Sequence, residues 1–204
     1  MKKTIVSVLF AAITLSAVAQ KEEENTNGFK KENLFTGGNV TASFFNGATV
    51  LGVSPYFGCS LNKFVDVAVS LNFNYTSQRD YAQYGDKVRQ TVYGPGAFVR
   101  LFPVRFLFAQ AQYEHNFIKF KYIPAANGAY LPSTQTTDAN SVLVGGGYTS
   151  GREGKGSSYY YLSVLWDVTR VAESPYVDGL KRSFPVIRAG YTIALFQGSG
   201  RKRR

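Results

Sequence analysis

The stretch VDVAVSLNFNY, Val65–Tyr75, alternates without a break. Val65, Val67, Val69, Leu71, Phe73 and Tyr75 are large and apolar, whereas Asp66, Ala68, Ser70, Asn72 and Asn74 are small or polar. A period of two marks a β-strand whose faces meet different surroundings. The fold class turns on which face points inward. A soluble binding barrel turns its apolar face in; a membrane barrel turns it out. Water-facing sheet surfaces usually carry long Lys, Glu and Arg side chains. The polar face here carries Asn, Ser and one Asp, sizes that suit a narrow, crowded lumen, so the apolar face is expected to meet lipid.

The same alternation recurs along the chain. In 105–118, Gln110, Gln112, Glu114 and Asn116 alternate with Leu107, Ala109, Ala111, Tyr113 and Phe117. In 185–196, Ile187, Ala189, Tyr191, Ile193 and Leu195 alternate with Arg188, Gly190, Thr192 and Ala194. Eight β-like segments are expected and no convincing helix: Leu34–Phe45, Thr49–Leu61, Phe64–Tyr75, Arg89–Leu101, Arg105–Ile118, Asn140–Ser150, Ser158–Val168 and Pro185–Phe196. Their lengths of about 11–14 residues exceed the mode of about 5–6 for soluble strands and suffice to cross a bilayer at a tilt. The third, fifth and seventh connections (76–88, 119–139 and 169–184) are long and share one side. The turns on the other side are short, as in membrane barrels; the brief connection 46–48 departs from the pattern. The sequence therefore predicts an all-β, eight-stranded antiparallel up-and-down transmembrane β-barrel. It must be closed, because hydrocarbon offers no partner to an open sheet edge.

The N-terminus sets the compartment. Lys2 and Lys3 precede an apolar run from Ile5 to Leu15, and Ala17-Val18-Ala19 fits a small-residue cleavage site. Residues 1–19 thus read as a cleaved secretory signal peptide, with Gln20 as the mature start. Residues 20–33 read as a flexible periplasmic lead-in, 34–196 as the barrel and 197–204 as a basic tail ending in Arg201-Lys202-Arg203-Arg204. The formal charge of +10 belongs to an exported chain, so the expected anionic partners are lipids or surface polymers rather than nucleic acid. Cys59 is the one cysteine, so no intramolecular disulfide is available.

Inward parity falls on Asp66, Arg100, Glu114, Asp167 and Arg188, a candidate lumen charge network. Buried charges require partners. A hairpin symmetric about residue 83 sets Asp66 opposite Arg100, and Glu114 with Arg188 is the candidate second layer. Aromatics near strand ends (Phe44, Phe45, Phe73, Tyr75, Phe117, Tyr159, Tyr160) fit interfacial girdles. At the outer rim, Arg79, Lys87, Lys119, Lys121, Arg170, Lys181 and Arg182 are candidates for binding anions such as lipopolysaccharide phosphates. His115 is the one histidine, on the outward parity; the adjacent acid, Glu114, falls on the inward parity, so no local Ser or acid partner shares its face. The glycine-rich Gly145–Ser158 lacks the Lys-Ser/Thr pair of a phosphate loop and precedes a strand rather than a helix. No catalytic residue, metal site or cofactor is expected, and a conducting pore is not expected from eight strands.

These features, with the aromatic-ended RAGYTIALF (Arg188–Phe196), resemble the small Gram-negative outer-membrane β-barrel family, of the OmpX type and the OmpA barrel domain, over about Leu34–Phe196. The resemblance implies an outer-membrane location and recognition of the last strand by the barrel-insertion machinery, with Phe196 at the terminal aromatic position. The chain departs from that pattern by continuing through Gln197–Arg204. GFKKENLFTGG, Gly28–Gly38, also resembles barrel proteins of unassigned role; some similar sequences carry enzyme names such as α-ketoglutarate decarboxylase, chemistry that no residue here supports. The expected function is a structural or surface-interaction role through external loops. The alternatives are an outer-membrane lipid-modifying enzyme using His115, and a soluble periplasmic lipocalin-like binding barrel.

Overall fold

The computed structural model describes residues 30–45, 48–126, 130–178 and 180–197. The chain divides into Met1–Lys31 and Glu32–Arg204. The signal peptide, most of the lead-in, the Asn46-Gly47 turn and all but the first residue of the basic tail lie outside the described residues.

The second unit is a closed barrel with strands in chain order: β1 (Leu34–Phe45), β2 (Ala48–Ser60), β3 (Val65–Arg79), β4 (Lys87–Val104), β5 (Leu107–Ile123), β6 (Ser133–Thr149), β7 (Tyr159–Asp167) and β8 (Val186–Ala194). Every neighbouring pair is antiparallel, and β8 closes the ring against β1 from Phe35↔Ala194 to Ala42↔Ile187. No strand edge remains for the bilayer to leave unpaired.

The faces fall as the alternation in β3 demands. Val69, Leu71, Phe73 and Tyr75 are 62%, 52%, 48% and 44% exposed, whereas Asn72 and Asn74 are 0% and 4% exposed. Around the ring the outside carries Val40, Leu51, Val53, Phe57, Val99, Leu101, Val144, Leu162 and Ile193. A soluble binding barrel requires the reverse, a dry apolar interior. The lumen here is packed with Asn, Gln, Ser, Thr and ions together with an aromatic cluster that includes Phe35, Tyr56, Phe98, Phe108 and Tyr161, leaving no dry apolar chamber of that kind among the described residues.

Prolines interrupt two ladders without breaking the barrel. The β2–β3 pairing skips Ser54–Pro55 and the β4–β5 pairing skips Gly94–Pro95, because proline offers no N–H to a neighbour. At the second site β4 presses against β5: a Cβ on Gly94 would lie 1.8 Å from the His115 carbonyl oxygen. Only glycine fits there.

Three expectations need correction. First, the third and fifth connections are shorter than the sequence suggests. Paired strand runs on to Arg79↔Lys87 and to Tyr122↔Ser133. Residues 133–138 are exposed on both faces, so they carry no buried-face alternation for a pattern reading to detect. Second, Tyr159 is not a girdle residue; it is 2% exposed and belongs to a lumen cluster, while Tyr160 faces out. Third, Phe196 lies beyond the end of β8, exposed and with a left-handed φ of 57°. Phe44, Phe73, Tyr75 and Phe117 do face outward, and the side chain of Phe45 lies outside the described residues.

Candidate functional site

Two regions carry chemistry: the lumen, and the rim at the long-loop end. The lumen is built in tiers, and β5 supplies its spine. Gln110, Gln112, Glu114 and Asn116 are consecutive inward residues of that strand, all buried. Arg100 Nε donates to Gln110 Oε1 at 2.8 Å, Gln110 Nε2 to Gln112 Oε1 at 2.7 Å, and Gln112 Nε2 to Glu114 Oε1 at 2.8 Å.

At the short-turn end, Asp66 and Arg100 are cross-strand partners in the β3–β4 register, but they are not an ion pair. The carboxylate of Asp66 instead takes Arg152, Nη2 to Oδ1 at 2.7 Å and Nε to Oδ2 at 3.2 Å. Tyr159 adds a hydroxyl to Oδ2 at 3.2 Å. The guanidinium also donates to the carbonyls of Lys63 and Asn62, which ties the β2–β3 turn to the β6–β7 turn across the barrel mouth. Arg152 comes from the glycine-rich turn and is 3% exposed.

Arg100 points into an aromatic box. Its guanidinium carbon lies 4.0 Å from the ring centre of Tyr161, 4.6 Å from Phe98, 5.1 Å from Phe108 and 5.4 Å from Tyr56. The register lies as hairpin symmetry requires, yet a cation among electron-rich rings has its own stabilisation, and Asp66 has a better-placed fork in Arg152.

Higher up, Glu114 and Arg188 form a fully buried pair, Nη2 to Oε1 at 2.8 Å. Arg188 Nη1 also reaches Gln112 Oε1 at 2.9 Å. Tyr176, from the connection between β7 and β8, drops into this tier. Its hydroxyl donates to Glu114 Oε2 at 2.7 Å and accepts from Asn74 Nδ2 at 3.1 Å. Above it, Asp167 accepts from the hydroxyls of Ser174 and Thr169, each at 2.5 Å, and from the Thr169 N–H at 2.9 Å. Among the described residues no cation pairs with Asp167; it anchors the connection that carries Tyr176. Sequence reasoning missed Arg152 and placed Tyr176 at the outer rim rather than in the lumen; both sit in connections without periodicity.

The rim candidates separate into two groups. Arg79, Lys87, Lys119 and Lys121 lie on strand extensions, all exposed. Arg170, Lys181 and Arg182 lie on the β7–β8 connection and line a recess of about 370 Å³ with Trp166 and Ser183. Arg182 is already engaged there, Nη2 to Asp178 Oδ2 at 2.8 Å. The Arg182 N–H, opposed by partial burial and reinforced by the Arg182 guanidinium and the Leu180 N–H, holds the Asp178 carboxyl below its ordinary range.

The tip between β3 and β4 is organised around Asp86. Its Oδ1 accepts from the Tyr81 N–H at 2.6 Å, and its Oδ2 from Ala82 at 2.9 Å, Gln83 at 2.8 Å and the Tyr122 hydroxyl at 2.9 Å. Burial pushes this carboxyl up, but the N–H groups of Ala82 and Gln83, the Tyr122 hydroxyl and the Tyr81 N–H together hold it below its ordinary range. His115 is partly exposed on the outer face. Its Nδ1 lies 2.8 Å from Asn140 Oδ1, which also accepts from Tyr113 at 2.8 Å, and its ring meets Phe117 edge-on. Its hydrogen-bond partner is an amide, with no Ser or carboxylate contact among the described residues.

An apolar exterior, an interior filled with polar, charged and aromatic side chains, and a ring closed strand to strand define a small transmembrane β-barrel. The fold is similar to that of the attachment invasion locus protein Ail of Yersinia pestis, at 10% identity and a TM-score of 0.48, over 79% of this chain and 99% of that one. It is similar to the N-terminal β-barrel domain of Pseudomonas aeruginosa OprF, at 13% identity and a TM-score of 0.42, over 79% and 95% of the two chains. It is also similar to Neisserial surface protein A, at 10% identity and a TM-score of 0.41, over 79% and 97%. No protein-family model matches the sequence, and no curated protein matches it.

Proposed function

We propose that this chain is an outer-membrane β-barrel with a structural and surface-interaction role, exerted at its external rim and not through a pore. The N-terminus and the short turns face the periplasm; the strand extensions and the β7–β8 connection face outward. The observation that carries this reading is the combination of an apolar belt outside with a lumen stoppered at both ends. Arg152 and Asp66 bridge the periplasmic mouth, the Arg100 box fills the waist, and Tyr176 occupies the outer half. These side chains occupying the lumen support a reading in which recognition falls to the rim. Its cations suit phosphate or another polyanion, with Arg79, Lys87, Lys119, Lys121, Arg170, Lys181 and Arg182 as candidates and lipopolysaccharide as the candidate ligand. The last strand is the segment that barrel-insertion machinery would read.

The test is gel mobility of the protein in a purified outer-membrane fraction, unboiled against boiled. A shift on boiling is expected. Absence of a shift, with the protein in the soluble periplasm, would overturn the reading. Neutralising the rim cations together should then reduce retention on immobilised lipopolysaccharide; full retention would remove the rim from the account while leaving the barrel.

A further inference from the structure

The register of β3, β4, β5 and β6 lays their outward side chains out as a grid. The topmost row is Arg79–Lys87–Ile123, and the next is Ser77–Arg89–Lys121–Thr134. Below lie Tyr75–Thr91–Lys119–Thr136 and then Phe73–Tyr93–Phe117–Asp138. The next row is Leu71–His115–Asn140, with Pro95 between Leu71 and His115. The grid passes from cations through aromatics to the apolar belt, the order met on leaving water for a bilayer.

Two features of the upper rows stand out. Arg79 lies directly opposite Lys87, and Arg89 directly opposite Lys121. Like charges in that position destabilise a strand pair. No carboxylate among the described residues is within ion-pair distance of these cations. The acids at the neighbouring tip are committed elsewhere: Asp86 to the N–H groups of Tyr81, Ala82 and Gln83, and Asp80 to the N–H of Gly85 at 2.6 Å. Asp138, the acid on the grid itself, stands opposite Phe117 and only diagonal to Lys119. The strands therefore hold an uncompensated cationic surface in a fixed geometry, directly over an aromatic girdle.

We propose that Arg89, Lys119 and Lys121, flanked by Arg79 and Lys87, form a binding site for the phosphate of a glycolipid in the protein's own outer leaflet. This rests on the rim reading above and narrows it, since it excludes the β7–β8 recess from the site. A phosphate set between Arg89 and Lys121 relieves their repulsion, and Lys119 closes it from below. The lipid's chains then run down over Tyr93 and Phe117. Lower on the grid, Tyr113 and His115 occupy Asn140 Oδ1, which leaves the Asn140 amide group to donate to an acyl-linkage carbonyl. A soluble anion would satisfy the cations alone; the aromatic rows beneath them favour a ligand with acyl chains.

The experiment uses the full mature protein, refolded into zwitterionic detergent, with diphosphorylated lipid A as probe and native mass spectrometry as readout. The variants are Arg89→Gln/Lys119→Gln/Lys121→Gln on the strands and Arg170→Gln/Lys181→Gln/Arg182→Gln on the connection. Wild type and the connection variant should retain lipid A, and the strand variant should retain it roughly tenfold less or weaker, given charge-assisted contacts at an exposed surface. Enzymatically dephosphorylated lipid A should not be retained, and millimolar inorganic phosphate should not displace the intact lipid. Equal retention by wild type and strand variant overturns the site. If the connection variant alone loses lipid A, the rim reading survives and this site does not; if neither loses it, both fall. Displacement by inorganic phosphate makes the ligand a free anion and overturns the lipid assignment. An unchanged mobility shift on boiling shows that each variant is folded.

Discussion

Removing the Glu114 carboxylate should cost more than any exposed substitution on this barrel. Glu114 is 0% and Arg188 1% exposed. Glu114 takes hydrogen bonds from Arg188 Nη2 at 2.8 Å, Gln112 Nε2 at 2.8 Å and the Tyr176 hydroxyl at 2.7 Å. Glu114→Leu leaves Arg188 with Gln112 Oε1 as its main remaining acceptor and deprives the Tyr176 hydroxyl of its carboxylate. Breaking a buried pair from one side typically costs about 3–5 kcal/mol, and Arg188→Met should cost a similar amount. The double variant replaces the pair by apolar side chains, which is often close to neutral. The two single costs should therefore overshoot the double by at least ~2 kcal/mol, at the upper end of coupling between contacting residues. Urea unfolding in lipid vesicles reads this directly. Trp166 is the one tryptophan and faces outward, so its fluorescence reports departure from lipid. Single costs that add to within about 0.5 kcal/mol would refute the pairing as the tier's organising contact.

Other outcomes follow from the same contacts. Tyr176→Phe should cost about 1–3 kcal/mol through the unsatisfied Glu114 oxygen and speed proteolysis between 169 and 185; unchanged cleavage would mean the hydroxyl does not hold the connection. Asp66→Asn should couple more strongly to Arg152→Ala than to Arg100→Ala in a double-mutant cycle; the reverse order would restore the cross-strand pairing expected from the sequence. The Asp86 carboxyl is held below its ordinary range, so its contribution to the tip is fully present above the unfolded value of about 3.9 and is lost as pH falls through the lower folded value. Amide exchange of Tyr81–Gln83, corrected for intrinsic rates, should accelerate as acid is added below that range in wild type and show no such step in Asp86→Ala. A profile without the acid step in wild type would count against the cap.

Much of the barrel could be read from periodicity because the two surroundings are so different. Along most of β3, β5 and β8 an apolar exterior alternates with a packed lumen, so alternation gave the faces, and hairpin symmetry gave the Asp66↔Arg100 register. The pairing within the lumen was not legible. Which cation meets Asp66 depends on where the Gly151–Ser157 turn folds, and a turn has no period. The inward course of Tyr176, an expected rim aromatic, was hidden for the same reason. The outer ends of β3, β5 and β6 were read as loop because strand standing in water needs no apolar face. That reading put Lys87, Lys119 and Lys121 on long loops, whereas Arg89, the first residue of an expected strand, was not counted among the rim cations.

The correction changes what the rim can do. A cation on a mobile loop must lose conformational freedom before it helps to bind an anion, and that loss weakens affinity. A cation on a continuous antiparallel ladder has already been ordered by folding, and the Asp86 cap closes the end of that ladder. The repulsion between Arg89 and Lys121 is therefore built in when the barrel forms and is available to be relieved by a ligand. The β7–β8 connection is arranged in the opposite sense. Asp178 engages Arg182, Asp167 fastens Ser174, and Tyr176 is spent on the lumen. Asp167 and Tyr176 are used within the protein to hold the connection over the lumen, whereas no ion pair among the described residues engages Lys87, Arg89, Lys119 or Lys121. On the proposed reading, the same end of the molecule divides its ionic groups between sealing and recognition.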